Sequence, residues 1–264
     1  MQLSESFSHL YPNNPLYAIM SKYTIGNRSL WIVGALLTVF SLLSFTARHT
    51  LVATLQDETR TFSVRDFDRL DVGSAMEITV RQGSTFSVTA SGRKSDLDDL
   101  EASVTGGKLR VRYRDSRWNS NRKRVKLDIA MPQLRGADFS GASRSTVTGF
   151  RNQGTFDLEV SGASTSTVEV DATRLNLDLS GASNLTLTGK AETLAGEVSG
   201  ASSLKSFDMS LKDASLELSG ASSARVNVTG KLNVDASGAS SVRYRGAAAV
   251  RSNTSGASSV RSEG

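Results

Sequence analysis

Few residues of this chain could perform acid–base, nucleophilic or metal chemistry, and their positions exclude several reaction classes. The sequence has no cysteine, and its two histidines, His9 and His49, both precede the strand-rich part of the chain. A Ser-His-Asp relay, a thiol nucleophile and a histidine-based metal site are therefore not available to that part. We predict no catalytic residue, no metal ion and no cofactor.

Carboxylates are the remaining candidates for catalysis, because two facing carboxyl groups can hydrolyse a glycosidic bond. The acids concerned are Asp66, Asp68, Asp71, Asp96, Asp98, Asp99, Glu101, Glu169 and Asp171. We interpret them as solvated or helix-capping residues, and a carbohydrate-active enzyme stays open as an alternative. Ser202 and Lys205 match a Ser-x-x-Lys pattern, but serine recurs at this point of the sequence for structural reasons.

A basic run between residues 110 and 126 is the strongest candidate for binding, because its net charge favours anionic partners. The predicted binding residues are Arg112, Arg114, Arg117, Trp118, Arg122, Lys123 and Arg124. If the two strands of this run pair as a hairpin, most of these side chains share one face and one turn. The predicted partner is an anionic glycan or another envelope surface component, and we expect no specific nucleic-acid binding. The alternative is that the charges keep an edge hairpin soluble.

The sequence Ser-Gly-Ala-Ser occurs seven times in the second half of the chain and indicates how the chain is organised. The copies begin at Ser140, Ser161, Ser180, Ser199, Ser219, Ser237 and Ser255. A period of about 20 residues is typical of a solenoid. A glycine can adopt the positive φ of a sharp corner, and small alanine and serine side chains fit into such a bend. The predicted corner glycines are Gly141, Gly162, Gly181, Gly200, Gly220, Gly238 and Gly256.

Apolar and polar residues alternate on both sides of each corner, as they do in half-buried strands. Leu175, Leu177 and Leu179 precede the third corner, for example, and Leu185 and Leu187 follow it. We therefore predict an all-β, parallel β-helix-like solenoid with two short strands in each coil of ~19 residues.

The solenoid domain is predicted to span residues 59–264, with less regular strands at 59–135 and the repeats at 136–264. The less regular strands are expected to cap one end of the solenoid. A polar last coil suits its other end, because an uncapped apolar edge invites pairing with another chain. A homo-oligomer formed through the solenoid ends remains an expectation.

An apolar segment without charges, Leu30–Phe45, lies near the N-terminus. A helix needs about 20 residues to span a bilayer, so this shorter segment fits a secretory signal peptide or a short anchor. We assign residues 1–28 to a polar extension, 29–47 to a signal peptide or signal-anchor helix, and 48–58 to a linker. The solenoid is then expected in the periplasm or at the cell surface, with membrane association through the apolar segment if it is not cleaved.

Several segments together resemble a known family. They are Leu70-Asp-Val-Gly, Met76-Glu-Ile-Thr-Val-Arg-Gln-Gly, Leu109-Arg-Val and Pro132-Gln-Leu, followed by the Ser-Gly-Ala-Ser corners. Over residues 60–260 the chain is similar to the head GIN domain of putative auto-transporter adhesins. The resemblance implies an exported bacterial domain with a β-helix-like fold, and it brings no catalytic residues with it.

Three functional hypotheses follow from the sequence. The first is a non-enzymatic β-solenoid of the bacterial cell envelope that binds a surface partner or serves as a structural module. The second is a β-helix enzyme that acts on anionic polysaccharides. The third is a membrane-anchored regulatory or polymerising scaffold.

Overall fold

The computed structural model describes residues 57–114 and 122–263, which are almost entirely β-structure. The strands are β1 (Glu58–Phe62), β2 (Arg69–Val72), β3 (Glu77–Gln82), β4 (Ser87–Gly92), β5 (Leu100–Thr105), β6 (Lys108–Tyr113), β7 (Lys126–Met131), β8 (Gly136–Phe139), β9 (Arg144–Val160), β10 (Thr165–Leu179), β11 (Asn184–Val198), β12 (Ser203–Leu218), β13 (Ser223–Val228), β14 (Lys231–Ala236), β15 (Ser241–Arg245), β16 (Ala249–Thr254) and β17 (Ser259–Ser262). A short helix, α1 (Lys94–Asp98), connects β4 to β5.

The predicted signal or anchor segment Leu30–Phe45 lies outside the described residues, as do Arg117 and Trp118. Within the described ranges, no helix has both the length and the apolar character needed to cross a membrane.

The repeat region forms the predicted solenoid, in which each coil lies parallel to the one before it. Arg144 is beside Thr165, Thr165 beside Asn184, and Asn184 beside Ser203, so four successive coils are in register. The stacking continues from β12 to β13, β15 and β17 on one side, and from β12 to β14 and β16 on the other. Neighbouring rungs of such a stack are about 4.8 Å apart.

The prediction of two short strands in each coil is wrong for the earlier coils. β9, β10, β11 and β12 are single strands of 15 to 17 residues that run from one corner to the next. They cross the variable corner through a gradual bend with local register shifts, such as the shift between Thr186 and Gly189. In the later coils a break near Gly230 or Gly246 divides the strand, which gives β13 and β14, then β15 and β16.

The Ser-Gly-Ala-Ser corners stack in a column, as the sequence predicts. All seven corner glycines have positive φ, between +70° and +80°. From the second corner onward, each alanine N–H bonds to a glycine carbonyl of the coil below, as Ala182 N does to Gly162 O at 2.8 Å. A Cβ atom on Gly181 would lie 2.4 Å from the Gly162 oxygen. Glycine is therefore required both for its conformation and because the backbones approach so closely.

Two coils at the N-terminal end come from the region that was expected only to cap the solenoid. β2 lies between β6 and β8, and β3 lies between β7 and β9, all in parallel. The coil made by β6 and β7 is therefore the outermost, although it follows β2 and β3 in sequence. The hairpin considered for these two strands does not form, because β6 pairs with β2 and β5, whereas β7 pairs with β3 and β4.

Antiparallel strands close this end of the solenoid, so the predicted capping role belongs to β1, β4, β5 and α1. β4 pairs with β7, β1 pairs with β4, and β5 pairs with β6. Arg60 of β1 donates hydrogen bonds to the carbonyl oxygens of Leu97 and Leu100, at 2.6 and 2.9 Å. These hydrogen bonds join the edge strand β1 to α1 and to the start of β5.

The interior is one continuous apolar cluster that runs through all the coils. Phe139, Phe150 and Phe156 are among its largest fully buried side chains. Since inward residues alternate with outward ones along every strand, the outward positions form straight columns on the surface. These columns are where a solenoid can vary its chemistry without disturbing its core.

Candidate functional site: charged residues on the outer faces of the coils

The predicted basic residues divide into a group held in ion pairs and an exposed group that forms none among the described residues. Arg110 lies directly beside Asp71 because β6 and β2 are parallel neighbours. Its Nε donates to Asp71 Oδ2 at 2.8 Å, and Arg112 Nη2 approaches the same oxygen at 3.2 Å. Asp71 keeps only 14% of its side chain exposed. Arg112, a predicted binding residue, therefore has a partner within the protein.

Arg122 is also engaged within the protein. Its guanidinium lies over the ring of Tyr113, 4.2 Å from the ring centre, and it forms an ion pair with Asp99. Burial raises the pKa of Tyr113, with nearby Asp96 as the next cause. The cation–π contact and the ion pair together hold the chain where it enters β7.

The exposed group consists of Arg114, Lys123 and Arg124, which we call the basic end. Arg114 precedes residues 115–121, whereas Lys123 and Arg124 follow them closely. Arg124 Nη1 donates a long hydrogen bond to the Ala142 carbonyl at 3.4 Å, so it reaches toward the first corner. The basic end therefore presents positive charge to solvent, which is the property that made the basic run a candidate for binding.

Most of the acids considered for catalysis are held in ion pairs. Asp96 is 4% exposed and accepts hydrogen bonds from Arg93 at 3.0 Å. Arg151 binds Asp171 at 3.0 Å and also pairs with Glu169. Charge-assisted hydrogen bonds of this kind hold a carboxylate in place against its arginine. These contacts agree with a structural interpretation of the acids.

The Ser-x-x-Lys match does not form a catalytic pair. Ser202 is 2% exposed and its hydroxyl donates to the Gly181 carbonyl at 3.3 Å. Lys205 is exposed on the outer face of β12. The two side chains therefore point to opposite sides of the strand, as residues three apart do in β-structure.

A column of acids on the outer face, which the sequence analysis missed, runs along the solenoid. Each member lies two residues before the first serine of a corner, or at the equivalent place in β2. Each is paired in register with the member on the neighbouring coil. The members are Asp71, Asp138, Glu159, Asp178, Glu197, Glu217 and Asp235. We call this set the acidic ladder. Like charges on neighbouring strands repel, so the arrangement costs stability.

Asp138 is the most perturbed member of the acidic ladder. Burial, together with the charges of Glu159 and Asp71, raises its pKa to about 6. Its Oδ1 is buried and has no hydrogen-bond partner among the described residues. The carboxyl borders a groove of about 300 Å³ whose lining also includes Arg69 and Asp157. Asp138 is thus half protonated near pH 6.

The acidic ladder could have been found from the sequence by reading down the aligned repeats. Glu159, Asp178, Glu197, Glu217 and Asp235 occupy the same position in five successive copies. Asp71 could not have been placed in this column from the repeats, because the β2 coil carries a divergent corner and is stacked out of sequence order.

The fold and its surface define a class of protein: a parallel β-solenoid with charged columns on its outer faces. Within the described residues, no three acidic or histidine side chains come together as metal ligands. A sequence profile of the family described as "Putative auto-transporter adhesin, head GIN domain" matches residues 66–248. The chain belongs to this family.

Solved structures from Bacteroides and Parabacteroides species have the same fold. A putative adhesin from Bacteroides fragilis is 19% identical, with a TM-score of 0.75 over 79% of this chain and 97% of that one. A putative adhesin from Parabacteroides merdae is 16% identical, with a TM-score of 0.65 over 80% and 98%. A protein from Parabacteroides distasonis called a putative lipid binding protein is 14% identical, with a TM-score of 0.60 over 80% and 98%. At these identities the likeness concerns the fold. A search of curated proteins gave no match.

Proposed function

We propose that this protein is a non-catalytic binding module of the bacterial cell envelope that recognises an anionic surface component through its basic end. The observation that carries the proposal is the division of the basic run. Arg112 and Arg122 form ion pairs with Asp71 and Asp99, whereas Arg114, Lys123 and Arg124 are exposed at one end of the solenoid and form no ion pair with another described residue. Exposed cations grouped on a rigid scaffold attract anionic groups and hold them through charge-assisted hydrogen bonds.

Two further observations support a binding role at the envelope. The family is described by an adhesin function rather than by an enzymatic one. The fold is also rigid along its length, because every coil is bonded to its neighbours, and a rigid scaffold lowers the entropy cost of binding. The predicted localisation in the periplasm or at the cell surface fits an anionic partner such as an acidic glycan.

The test uses the full chain and immobilised heparin as a polyanionic probe. Replacing Arg114, Lys123 and Arg124 by serine should lower the salt concentration at which the protein elutes. The matched control replaces Arg174, Lys190 and Lys231, which are exposed cations on other coils, and this variant should elute with a smaller shift. Equal shifts for the two variants would refute a specific role for the basic end, because net charge alone would then explain retention.

One observation favours a second candidate function, hydrolysis of an anionic polysaccharide. Asp138 has a raised pKa and borders the same groove as Glu159, so that a carboxyl able to donate a proton lies beside a second carboxyl. Incubation with alginate, pectin and glycosaminoglycans would test this function. Turnover that disappears in an Asp138→Asn variant would support it, and no turnover of any of these polymers would count against it.

A further inference from the structure

A column of cations lies on the outer face of the last four coils, on the strand that follows each corner. Lys205 is in register with Arg225, Arg225 with Arg243, and Arg243 with Arg261. All four side chains are exposed. Three rung intervals of about 4.8 Å make this row about 14 Å long. We call these four residues the basic ladder.

The basic ladder is not needed for folding. In the four preceding coils the same column holds Thr79, Thr146, Thr167 and Thr186. Threonine has a high β propensity and carries no charge, so a neutral column serves the structure at least as well. Cations on adjacent rungs repel one another.

Most of the basic ladder has no counter-charge within the protein. Arg243 lies 3.2 Å from a carboxylate oxygen of Glu263. In the part of the chain that the structure describes, no carboxylate comes within 4.0 Å of Lys205, Arg225 or Arg261. An anionic ligand that supplies counter-charges along the row would relieve the repulsion.

The flanks of the basic ladder provide hydroxyl groups on one side and an aromatic ring on the other. The column two residues earlier consists of serines on all four coils, and Ser223 Oγ donates to Ser203 Oγ at 3.2 Å. Beyond the ladder, the guanidinium of Arg245 covers the partly exposed ring of Phe207, 4.2 Å from its centre. Hydroxyl donors, cations and an aromatic ring are together suited to a charged, hydroxyl-rich chain.

We propose that the basic ladder is a second binding site, which holds one linear stretch of an acidic polysaccharide along the solenoid axis. The row is a single residue wide, which suits one extended polymer chain and offers little area to a membrane surface. Duplex DNA carries about one charge per 1.7 Å of its axis, a density well above one cation per rung. The proposal shares its class of partner with the proposed function, but it places the contact on a different surface.

The charges of the basic ladder can be removed by substituting threonine, the residue that the same column carries in the preceding coils. We suggest a variant of the full chain in which Lys205, Arg225 and Arg261 are replaced by threonine. Its matched control carries Arg174→Thr, Lys190→Thr and Lys231→Thr, which change the net charge equally. Circular dichroism and thermal unfolding would check that both variants keep the fold of the unmodified protein.

Binding would be measured with polygalacturonate as the probe, across a series of salt concentrations. Three exposed ion pairs contribute about threefold each, so the ladder variant should bind about thirty-fold more weakly. The slope of log affinity against log salt should also decrease by about 2 to 3. The control variant should stay within about threefold of the unmodified protein.

The outcomes separate this proposal from the proposed function. Affinity of the ladder variant equal to that of its control would overturn the proposal. A second variant carries Arg114→Ser, Lys123→Ser and Arg124→Ser in the basic end. Affinity for polygalacturonate that is lost in the ladder variant but kept in this second variant would support the basic ladder as the site and refute the basic end. The ladder variant would also be tested with anionic vesicles and oligonucleotides. If it bound these probes more weakly but bound polygalacturonate as the unmodified protein does, the choice of a polysaccharide as the ligand would be overturned.

Discussion

The corner column predicts that an alanine at Gly181 is among the most damaging single changes outside the apolar core. Gly181 has a φ of +76°, and its Cα faces the backbone of the preceding corner. An added Cβ would lie 2.4 Å from Gly162 O and 3.0 Å from Gly162 N. That oxygen already accepts the Ala182 N–H at 2.8 Å. The methyl group can therefore be accommodated only if two coils move apart.

The magnitude follows from two separable effects. A side chain held in the left-handed region costs about 1–2 kcal/mol. Moving the coils apart weakens at least the Ala182–Gly162 bond and its neighbour from Ser180 N to Val160 O, at about 1 kcal/mol each. We expect Gly181→Ala to lower the free energy of unfolding by about 3–4 kcal/mol.

Two other glycines supply controls, one for the backbone conformation alone and one that lacks both effects. Gly106 also has a positive φ, +58°, but an added Cβ would meet no atom within 4 Å. Gly106→Ala should therefore cost only the conformational part, about 1–2 kcal/mol. Gly154 has no positive φ and no atom within 4 Å of its added Cβ. Gly154→Ala should be neutral or stabilise slightly, because it restricts the unfolded chain.

The assay is urea unfolding at 25 °C followed by far-ultraviolet circular dichroism, with hydrogen exchange to locate any opening of the coils. The predicted order of stability is Gly154→Ala, then Gly106→Ala, then Gly181→Ala. In the last variant, amides on the coils around residues 160–200 should exchange fastest relative to the unmodified protein. A Gly181→Ala variant as stable as Gly106→Ala would refute the reasoning, since it would show that the corners tolerate a Cβ.

The remaining predictions concern buried polar groups. The pKa of Asp138 rises on folding from 3.8 to about 6, so its charged form destabilises the fold above pH 6, and this cost disappears below about pH 4. Asp138→Asn should therefore stabilise the protein at pH 7.5 by about 1 kcal/mol, a value reduced because the carboxyl is partly exposed to solvent. An equal gain in stability at pH 4 and at pH 7.5 would contradict this expectation. Ser206 is buried without a hydrogen-bond partner among the described residues, so Ser206→Ala should raise stability by about 1 kcal/mol. Ser166 Oγ accepts a hydrogen bond from buried Ser145 at 2.7 Å, so Ser166→Ala should lower stability by about 1 kcal/mol in the same urea assay. If both serine variants changed the stability in the same direction, the distinction between a bonded Ser166 and an unbonded Ser206 would be refuted.

The sequence was sufficient to predict the solenoid because its period is local. Every Ser-Gly-Ala-Ser corner contains the information for its own bend, and the alternation on either side fixes which residues point inward. The N-terminal coils could not be predicted in the same way. β2 lies between β6 and β8, so its neighbours are about 40 and 70 residues away in sequence. No periodic signal connects these segments.

The same distinction explains which parts of the candidate site were predictable. The basic run was visible as composition, but the ion pairs from Arg112 to Asp71 and from Arg122 to Asp99 depend on the non-local packing of the first coils. The basic ladder, and the acidic ladder apart from Asp71, depend only on the repeat register. They could have been found by comparing equivalent positions of the copies, whereas a search for clusters along the chain does not find them.

The repeat architecture also indicates where selection for binding can act. At the corners a Cβ would collide with the coil below, and inward positions are fixed by the apolar core, so neither can vary freely. Outward columns are free of both constraints, and a neutral residue there would avoid repulsion between rungs. Nevertheless, the acidic ladder carries seven carboxylates on adjacent rungs, and the basic ladder changes from threonine to lysine and arginine within one column. These charged columns contribute nothing to the core and face solvent, which is why the outer columns are the surfaces to test first for binding.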